Sequence, residues 1–258
     1  PSSHTLMSRL DILDQVESTN SYLLQRAADI ESGHVSVTEQ QTAGRGRRGR
    51  KWISPFGSNI YLSIFWRYAI GPADLGGLSL AAGIAVAESL AQQGIEGMGL
   101  KWPNDVLWNQ RKLSGLLLEV KGEQSGPSQV VLGVGLNIQL SEKQAQEIDQ
   151  PWVDLVSIPG GKEVSRNRLV AALLDNLLQT MEIFERDGLE PLMQQWQRYD
   201  LYQGKAVTLQ FGHRHVQGIY QGIDRNGALL LRHNGGVHAY QGGEVSLRAA
   251  GRGDSLQL

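Results

Sequence analysis

Cysteine is absent from the 258 residues, which excludes disulfides and thiolate catalysis and is compatible with a reducing compartment, so a cytoplasmic location is expected. No run approaches eighteen uninterrupted apolar residues, so no bilayer-spanning segment is expected. The first residues, Pro1-Ser-Ser-His-Thr-Leu-Met, have no apolar signal-peptide core. No G-x-S-x-G elbow is present for a serine nucleophile. Charge of one sign is lacking too. Lys and Arg number 24 against 26 Asp and Glu, a net charge of −2, so nothing global favours membranes or polyanions. Histidine is scarce. His213 and His215 share one face of a strand, with His233 or His238 as neighbours, and a metal site needs more ligands than that spacing guarantees. What the chain has in quantity is glycine, 31 residues, concentrated in presumptive turns.

The densest information lies at 40–51, Gln-Gln-Thr-Ala-Gly-Arg-Gly-Arg-Arg-Gly-Arg-Lys. Arg45, Arg47, Arg48, Arg50 and Lys51 stand among Gly44, Gly46 and Gly49. Glycine permits close backbone approach, and consecutive free N–H groups can form an anion-binding concavity. Guanidinium forks match carboxylate and phosphate. The three glycines also fit G-x-G-x-x-G, but that fingerprint must open a helix, and Pro55 and Gly57 follow. A phosphate-binding P-loop would need Lys and Ser or Thr where Arg50 and Lys51 stand. A nucleic-acid patch would be basic over a whole face, whereas here the charge is local.

Hydrophobic patterning predicts a short strand at 11–16 and a helix opening at Ser18-Thr19-Asn20 and running past Tyr22, Leu23, Leu24, Ala27 and Ala28 to Ile30. Strands are predicted at 34–39 and 59–66, and an apolar helix from Pro72 to about Gln93, ended by Gly94 to Gly99. Short strands follow at 106–108, 116–120 and 130–136, then a polar, proline-punctuated loop at 141–161. Amphipathic helices are predicted from Ser165 through Phe184 and around 192–199. After Leu201 the texture changes to β runs at 206–211, 216–220, 228–231, 237–240 and 244–247 between glycine-rich turns, the pattern of a small five-stranded barrel. The expected fold class is α+β: a mixed β-sheet backed by helices over residues 1–200, an SH3-like β-barrel over 201–250, and a disordered tail at 251–258.

Four further motifs carry chemistry. In Lys101-Trp-Pro-Asn-Asp105, Pro103 restricts Trp102 to an extended conformation, holding lysine and aspartate on a stiff turn. Lysine can neutralise phosphate and aspartate can hold Mg²⁺, although a solvated salt-bridged turn reads the same way. Lys112 precedes an apolar strand in Arg111-Lys-Leu-Ser-Gly115. Gly133-Val-Gly-Leu-Asn137 places two glycines inside a strand, the mark of a bulge or of a closely approaching ligand. Ser18-Thr19-Asn20 suits a helix N-cap and leaves N–H groups for a polar ligand.

Together, Gly44-Arg-Gly-Arg-Arg-Gly49, Lys101-Trp-Pro-Asn-Asp105, Lys112-Leu-Ser-Gly115 and Gly133-x-Gly135-x-Asn137 resemble the biotin protein ligase family, in the family's order and over nearly the whole chain. The resemblance implies a class II synthetase-like ligase domain and a two-step reaction. Biotin is first activated by ATP to biotinyl-5′-AMP and pyrophosphate, and the biotinyl group then passes to a lysine of a biotin carboxyl carrier protein. It implies biotin contacts from Ser18, Thr19, Asn20, Gln41, Arg45, Gly46, Arg47, Lys112, Gly115 and Leu117. Arg47, Arg48, Arg50, Lys101, Asn104, Asn137 and Trp152 would serve ATP and the adenylate, and Asp105 would hold Mg²⁺. Lys112, Arg45 and Arg47 would be the catalytic cations, and a homodimer through sheet edges is implied. Lipoate ligases share the fold but usually lack the arginine–glycine loop. The family's DNA-binding helix-turn-helix does not precede Asp11, so no operator binding is expected of this form.

Overall fold

The computed structural model describes residues 6–123, 126–211, 214–241 and 245–249. Seven strands form a mixed sheet: β1 (Arg9–Val16), β2 (His34–Gln41), β3 (Asn59–Tyr68), β4 (Met98–Lys101), β5 (Asp105–Trp108), β6 (Arg111–Gly122) and β7 (Ser128–Asn137). Their order is β1-β2-β3-β7-β6-β5-β4. Only β1 and β2 run parallel; the other neighbours are antiparallel.

Side chains alternate across a strand, and here the alternation separates core from site. On β3, Ile60, Leu62, Ile64, Trp66 and Tyr68 enter the main core, together with Val130, Leu132, Val134 and Leu136 of β7. That face is covered by helices α2 (Leu78–Gln92) and α4 (Arg166–Asp187). On the opposite face, Phe65 and Val131 pack with Leu23, Ala27 and Ile30 under helix α1 (Thr19–Gln25). The remaining odd-numbered positions there are small or polar, among them Ser63, Gly133, Gly135 and Asn137, and they leave a depression beside α1. The segment Pro72–Gln92 is long and apolar enough to cross a membrane, yet 72% of its most apolar window is buried inside this fold. It is a core helix here, buried nearly all round.

Several boundaries differ from the sequence expectations. Helix α1 ends at Gln25 rather than reaching Ile30: Arg26 N and Ala27 N turn to the 3-10-type acceptors Leu23 O and Leu24 O, and Arg67 Nη2 holds the later carbonyls of Ala27 and Ile30. Pro72 opens a 3-10 turn, Pro72–Leu75. The helix proper starts after Gly77, where a Cβ would sit 3.0 Å from Leu189 Cδ2. Met98–Lys101, expected to lie in a helix-terminating stretch and beyond, is a strand paired with β5. The 141–161 segment contains helix α3 (Glu142–Ala145) and a 3-10 turn at Leu155–Ser157.

After helix α5 (Met193–Tyr199), strands β8 (Ala206–Phe211), β9 (Arg214–Ile223), β10 (Leu229–His233), β11 (Gly236–Tyr240) and β12 (Val245–Ala249) form a small antiparallel sheet of order β11-β10-β9-β8-β12. Val207, Leu209, Tyr220, Ile223, Leu229 and Leu231 join the main core. The tail expected at 251–258, and His213, lie outside the described residues.

Candidate active site

A bulge aims the site's lysine. Val106 opposes Ser114 and Leu107 opposes Lys112, so Leu113 has no partner on β5. The extra residue shifts the alternation by one. Leu113 enters the core, and Lys112 faces the depression with Gly115 and Leu117. Its Nζ lies 2.6 Å from Asp105 Oδ1 and 5.4 Å from the centre of the Trp52 ring. A Cβ on Gly115 would come within 2.9 Å of Lys112 Cε. Glycine there leaves the room in which the lysine lies across the strand.

Trp52 forms part of the floor. A Cβ on Gly135 would lie 2.5 Å from its Cε2, so the indole rests directly on the β7 backbone. Its Nε1 is buried without a hydrogen-bond acceptor among the described residues.

The arginine loop closes on itself. Gly46 N donates to Arg50 O at 2.7 Å and Trp52 N to Gly44 O at 2.9 Å, while Arg45 and Lys51 form a β-bridge. Arg48 adopts φ 60° and ψ 33°, a left-handed conformation disfavoured for a side-chain-bearing residue and typical of functional turns. Arg47 Nη1 donates to Asn104 Oδ1 at 3.2 Å. Burial pulls its guanidinium below the ordinary arginine range; Arg48 adds to this, Asp105 opposes it, and Arg50 adds further. It stays cationic at any physiological pH. Arg45 Nη2 donates to Ser21 Oγ at 2.8 Å and to Glu119.

On the phosphate-suited side, Asn104 Nδ2 donates to Leu116 O at 2.6 Å, which anchors the turn carrying Lys101 and Asp105 to β6. The peptide between Trp102 and Pro103 is cis. A strap formed by residues 151–153 pairs with Lys112: Lys112 N donates to Pro151 O and Val153 N to Lys112 O, each at 2.9 Å. Lys51 meets Glu147 across the mouth at 2.5 Å, both side chains largely exposed.

At the other end, Ser18 caps α1 by accepting from Ser21 N. Thr19 N donates to Gln41 Oε1 at 3.0 Å, and Gln41 Nε2 donates to Ser54 Oγ at 3.1 Å. Ser18, Thr19 and Asn20 are buried, an uncommon setting for three consecutive polar side chains.

These elements enclose one cavity of about 340 Å³, within the usual range for small-molecule sites. Every site residue singled out from the sequence lines it. All four side-chain amides among them are engaged by protein: Gln41 on Ser54, Asn104 on Leu116, and two more. Asn137 Nδ2 donates to Val153 O at 3.2 Å, and Asn20 Nδ2 donates to Leu117 O and Glu119 Oε2. The lining also includes Gly133 and Gly135, which stood in a sequence motif without an assigned contact, Trp52 and Ile53 directly after the arginine loop, Val134, and Glu147–Gln150 from the polar 141–161 segment. The strand glycines and the tryptophan directly after the arginine loop were the available signals. Among the described residues no three His, Asp or Glu side chains gather as a metal cage. His233 instead meets Tyr240 OH at 2.6 Å and stacks on His238 with ring centroids 4.4 Å apart.

Comparison with known proteins agrees with this arrangement. Residues 12–137 match the Biotin/lipoate A/B protein ligase family, and residues 202–248 the Biotin protein ligase C terminal domain. The bifunctional ligase/repressor BirA of Escherichia coli is 43% identical over 239 residues, covering 93% of this chain and 74% of that protein. The biotin–[acetyl-CoA-carboxylase] ligase of Mycobacterium tuberculosis is 38% identical, covering 92% of this chain and 88% of that protein. The solved structure of the Aquifex aeolicus biotin protein ligase in complex with biotin and ATP superposes with a TM-score of 0.80 at 28% identity, covering 95% of this chain and all of that one. The chain belongs to the biotin protein ligase family.

Proposed function

We propose that the chain is an ATP-dependent biotin ligase that makes biotinyl-5′-AMP and delivers the biotinyl group to a lysine of a biotin carboxyl carrier protein. The observation that supports this most is the composition of this cavity, which brings the hydrogen-bonding groups of α1 and β2 (Ser18, Thr19 and Gln41) together with Arg47, Lys101 and Lys112. An acid with a polar head and a distal carboxylate would present that carboxylate to the cations.

In the first step a biotin carboxylate oxygen bonds to the α-phosphorus of ATP. The bond from that phosphorus to the bridging oxygen breaks and pyrophosphate leaves. In the second step the carrier lysine amine, having lost a proton, bonds to the carbonyl carbon of the mixed anhydride and AMP leaves. Such transfers need alignment and positive charge more than a protein nucleophile. Lys112 is assigned to the reacting carboxylate and α-phosphate, with Arg45 and Arg47 beside it. Ser18, Thr19, Asn20, Gln41 and Gly46 are assigned to the biotin head, and Gly115 and Leu117 to its ring and chain. Arg48, Arg50, Lys101, Asn104, Asn137 and Trp152 are assigned to nucleotide. Asp105 offers a carboxylate beside the phosphate-binding cations, which fits a Mg²⁺ ion that arrives with ATP and takes most of its ligands from phosphate and water. Residues up to Asp200 are assigned the chemistry and the C-terminal sheet a supporting role.

The proposal places the enzyme in the cytoplasm and includes neither a membrane nor a DNA partner. It includes pairing with a second copy through a sheet edge, for which β1, with Ile12 75% exposed, is a free edge strand. ATP–pyrophosphate exchange should depend on biotin and should not appear with lipoate or with no acid. Exchange driven by lipoate would instead make this a lipoate-type ligase. ATP-independent binding to nucleic acid, falling steeply with salt, would support a nucleic-acid module.

A further inference from the structure

We propose that Ser63 and Glu119, neither of which lines the cavity, are positioning residues that act through Asn20 to make Thr19 an acceptor for an N–H on the ligand head. This rests on the biotin reading above, because it specifies how the head group is recognised.

Ser63 is fully buried on the site face of β3. Its Oγ lies 2.6 Å from Asn20 Oδ1 and 2.7 Å from Thr19 Oγ1, yet it has one proton to give. The Asn20 amide is oriented from its far side, where Nδ2 donates to Glu119 Oε2 at 2.8 Å and to Leu117 O at 3.2 Å. Its Oδ1 therefore points at Ser63 and can only accept, so the Ser63 proton goes to Asn20. Thr19 must place its own proton on Ser63 Oγ, or on Gln41 Oε1 at 3.2 Å. Gln41 Oε1 is likewise an acceptor, since Nε2 is turned to Ser54. In either case the Thr19 proton stays within the protein, and the oxygen keeps lone pairs for a donor in the cavity. A ureido N–H is such a donor; the dithiolane head of lipoate has none.

Glu119 also ties this network to the arginine loop. Its carboxylate accepts from Arg45 at 3.2 Å as well as from Asn20. Gly133 leaves the room, since a Cβ there would lie 2.2 Å from Asn20 Oδ1.

Biotin-dependent ATP–pyrophosphate exchange by the full chain tests the inference, with Ser63→Ala, Glu119→Ala and Glu119→Gln as variants. Ser63→Ala leaves Asn20 Oδ1 without its donor and leaves the Thr19 proton to Gln41 Oε1 alone, so Asn20 and the Thr19 hydroxyl lose the group that holds them together. KM for biotin should rise about tenfold, the size expected for an unpaired buried polar group, with KM for ATP within about twofold. Glu119→Ala should do the same, and Glu119→Gln, which keeps an oxygen for Asn20, should recover most of the loss. If Ser63→Ala is too unstable to assay, the Glu119 pair makes the same prediction. Unchanged biotin KM in the alanine variants would overturn the inference. So would an equal rise in both KM values, or a failure of glutamine to rescue. No biotin-dependent exchange by the unaltered chain would mean instead that the ligase reading itself fails.

Discussion

Gly135 and Trp52 meet in close contact in the site, and the contact depends on a single absent methyl group. Adding it in Gly135→Ala places a carbon 2.5 Å from the indole. The ring must then move off the strand, and overpacking of this kind costs about 1–3 kcal/mol. The floor moves with the ring, so KM for biotin should rise by at least about tenfold; a KM within twofold of the unaltered chain would show that the ring has room to adjust. Arg47 makes a different prediction. Its half-buried cation is held by Asn104, and removing it in Arg47→Gly should speed release of biotinyl-5′-AMP by about one to two orders of magnitude, the loss of a charge-assisted contact. An unchanged dissociation rate in stopped flow would remove Arg47 from the adenylate. Both sites were legible in the sequence as residue types, because glycine and arginine have few alternatives in such patterns. What the sequence could not supply was direction. Nothing in Arg111-Lys-Leu-Ser reveals the bulge that turns Lys112 toward the cavity, since a bulge is a property of the pairing with β5.

At the scale of elements, β1, β2 and α1 are joined by one partly buried cluster that was not anticipated. Asp11 Oδ2 lies 2.7 Å from His34 Nε2 and 3.1 Å from Tyr22 OH, and Arg9 Nε donates to Oδ1. Burial alone would raise the Asp11 pKa; hydrogen bonds from His34, Arg9 and Tyr22 outweigh it, and the net shift is downward. A carboxyl depressed in the folded state adds stability above its unfolded pKa of about 3.9 and loses it as pH falls through the folded value. Urea midpoints should therefore drop between about pH 5 and 3 in the unaltered chain, and Asp11→Asn should flatten that drop while lowering the midpoint at pH 7. A variant with the same acid limb would exclude Asp11 as its source. Element types were readable where periodicity was strong, as in α4 and β3. They were misread at boundaries: α1 tightens into 3-10-type turns after Gln25, with Arg67 holding the carbonyls that follow, and α2 opens only after Gly77, which packs on Leu189.

On the scale of the whole molecule, the change of texture near Leu201 was visible, but the attachment of the C-terminal sheet was not. Trp102 Nε1, on the turn that carries Lys101 and Asp105, donates to Gly227 O at 3.0 Å. Leu201 N donates to Leu100 O, and the buried core runs through both sheets without a break. Thermal unfolding should accordingly show one transition, as expected of a shared core. Trp102→Phe, which loses the bond and leaves a gap in the core where the indole was, should lower the midpoint by at least about 2–4 °C, since the bond alone is worth roughly 1 kcal/mol. Two resolved calorimetric transitions would mean that the sheets unfold independently.

The central claim is that the cations of this cavity, Lys112 first among them, join biotin to the α-phosphate. Mass spectrometry of small molecules released from the acid-quenched protein, after brief incubation with biotin, ATP and Mg²⁺, tests it most directly. About one biotinyl-5′-AMP per chain is expected from the unaltered protein, with formation slowed about a hundredfold or more in Lys112→Ala, the usual cost of removing a charge-stabilising group. Absence of the adenylate from the unaltered protein, or its formation at the same rate without Lys112, would contradict the account.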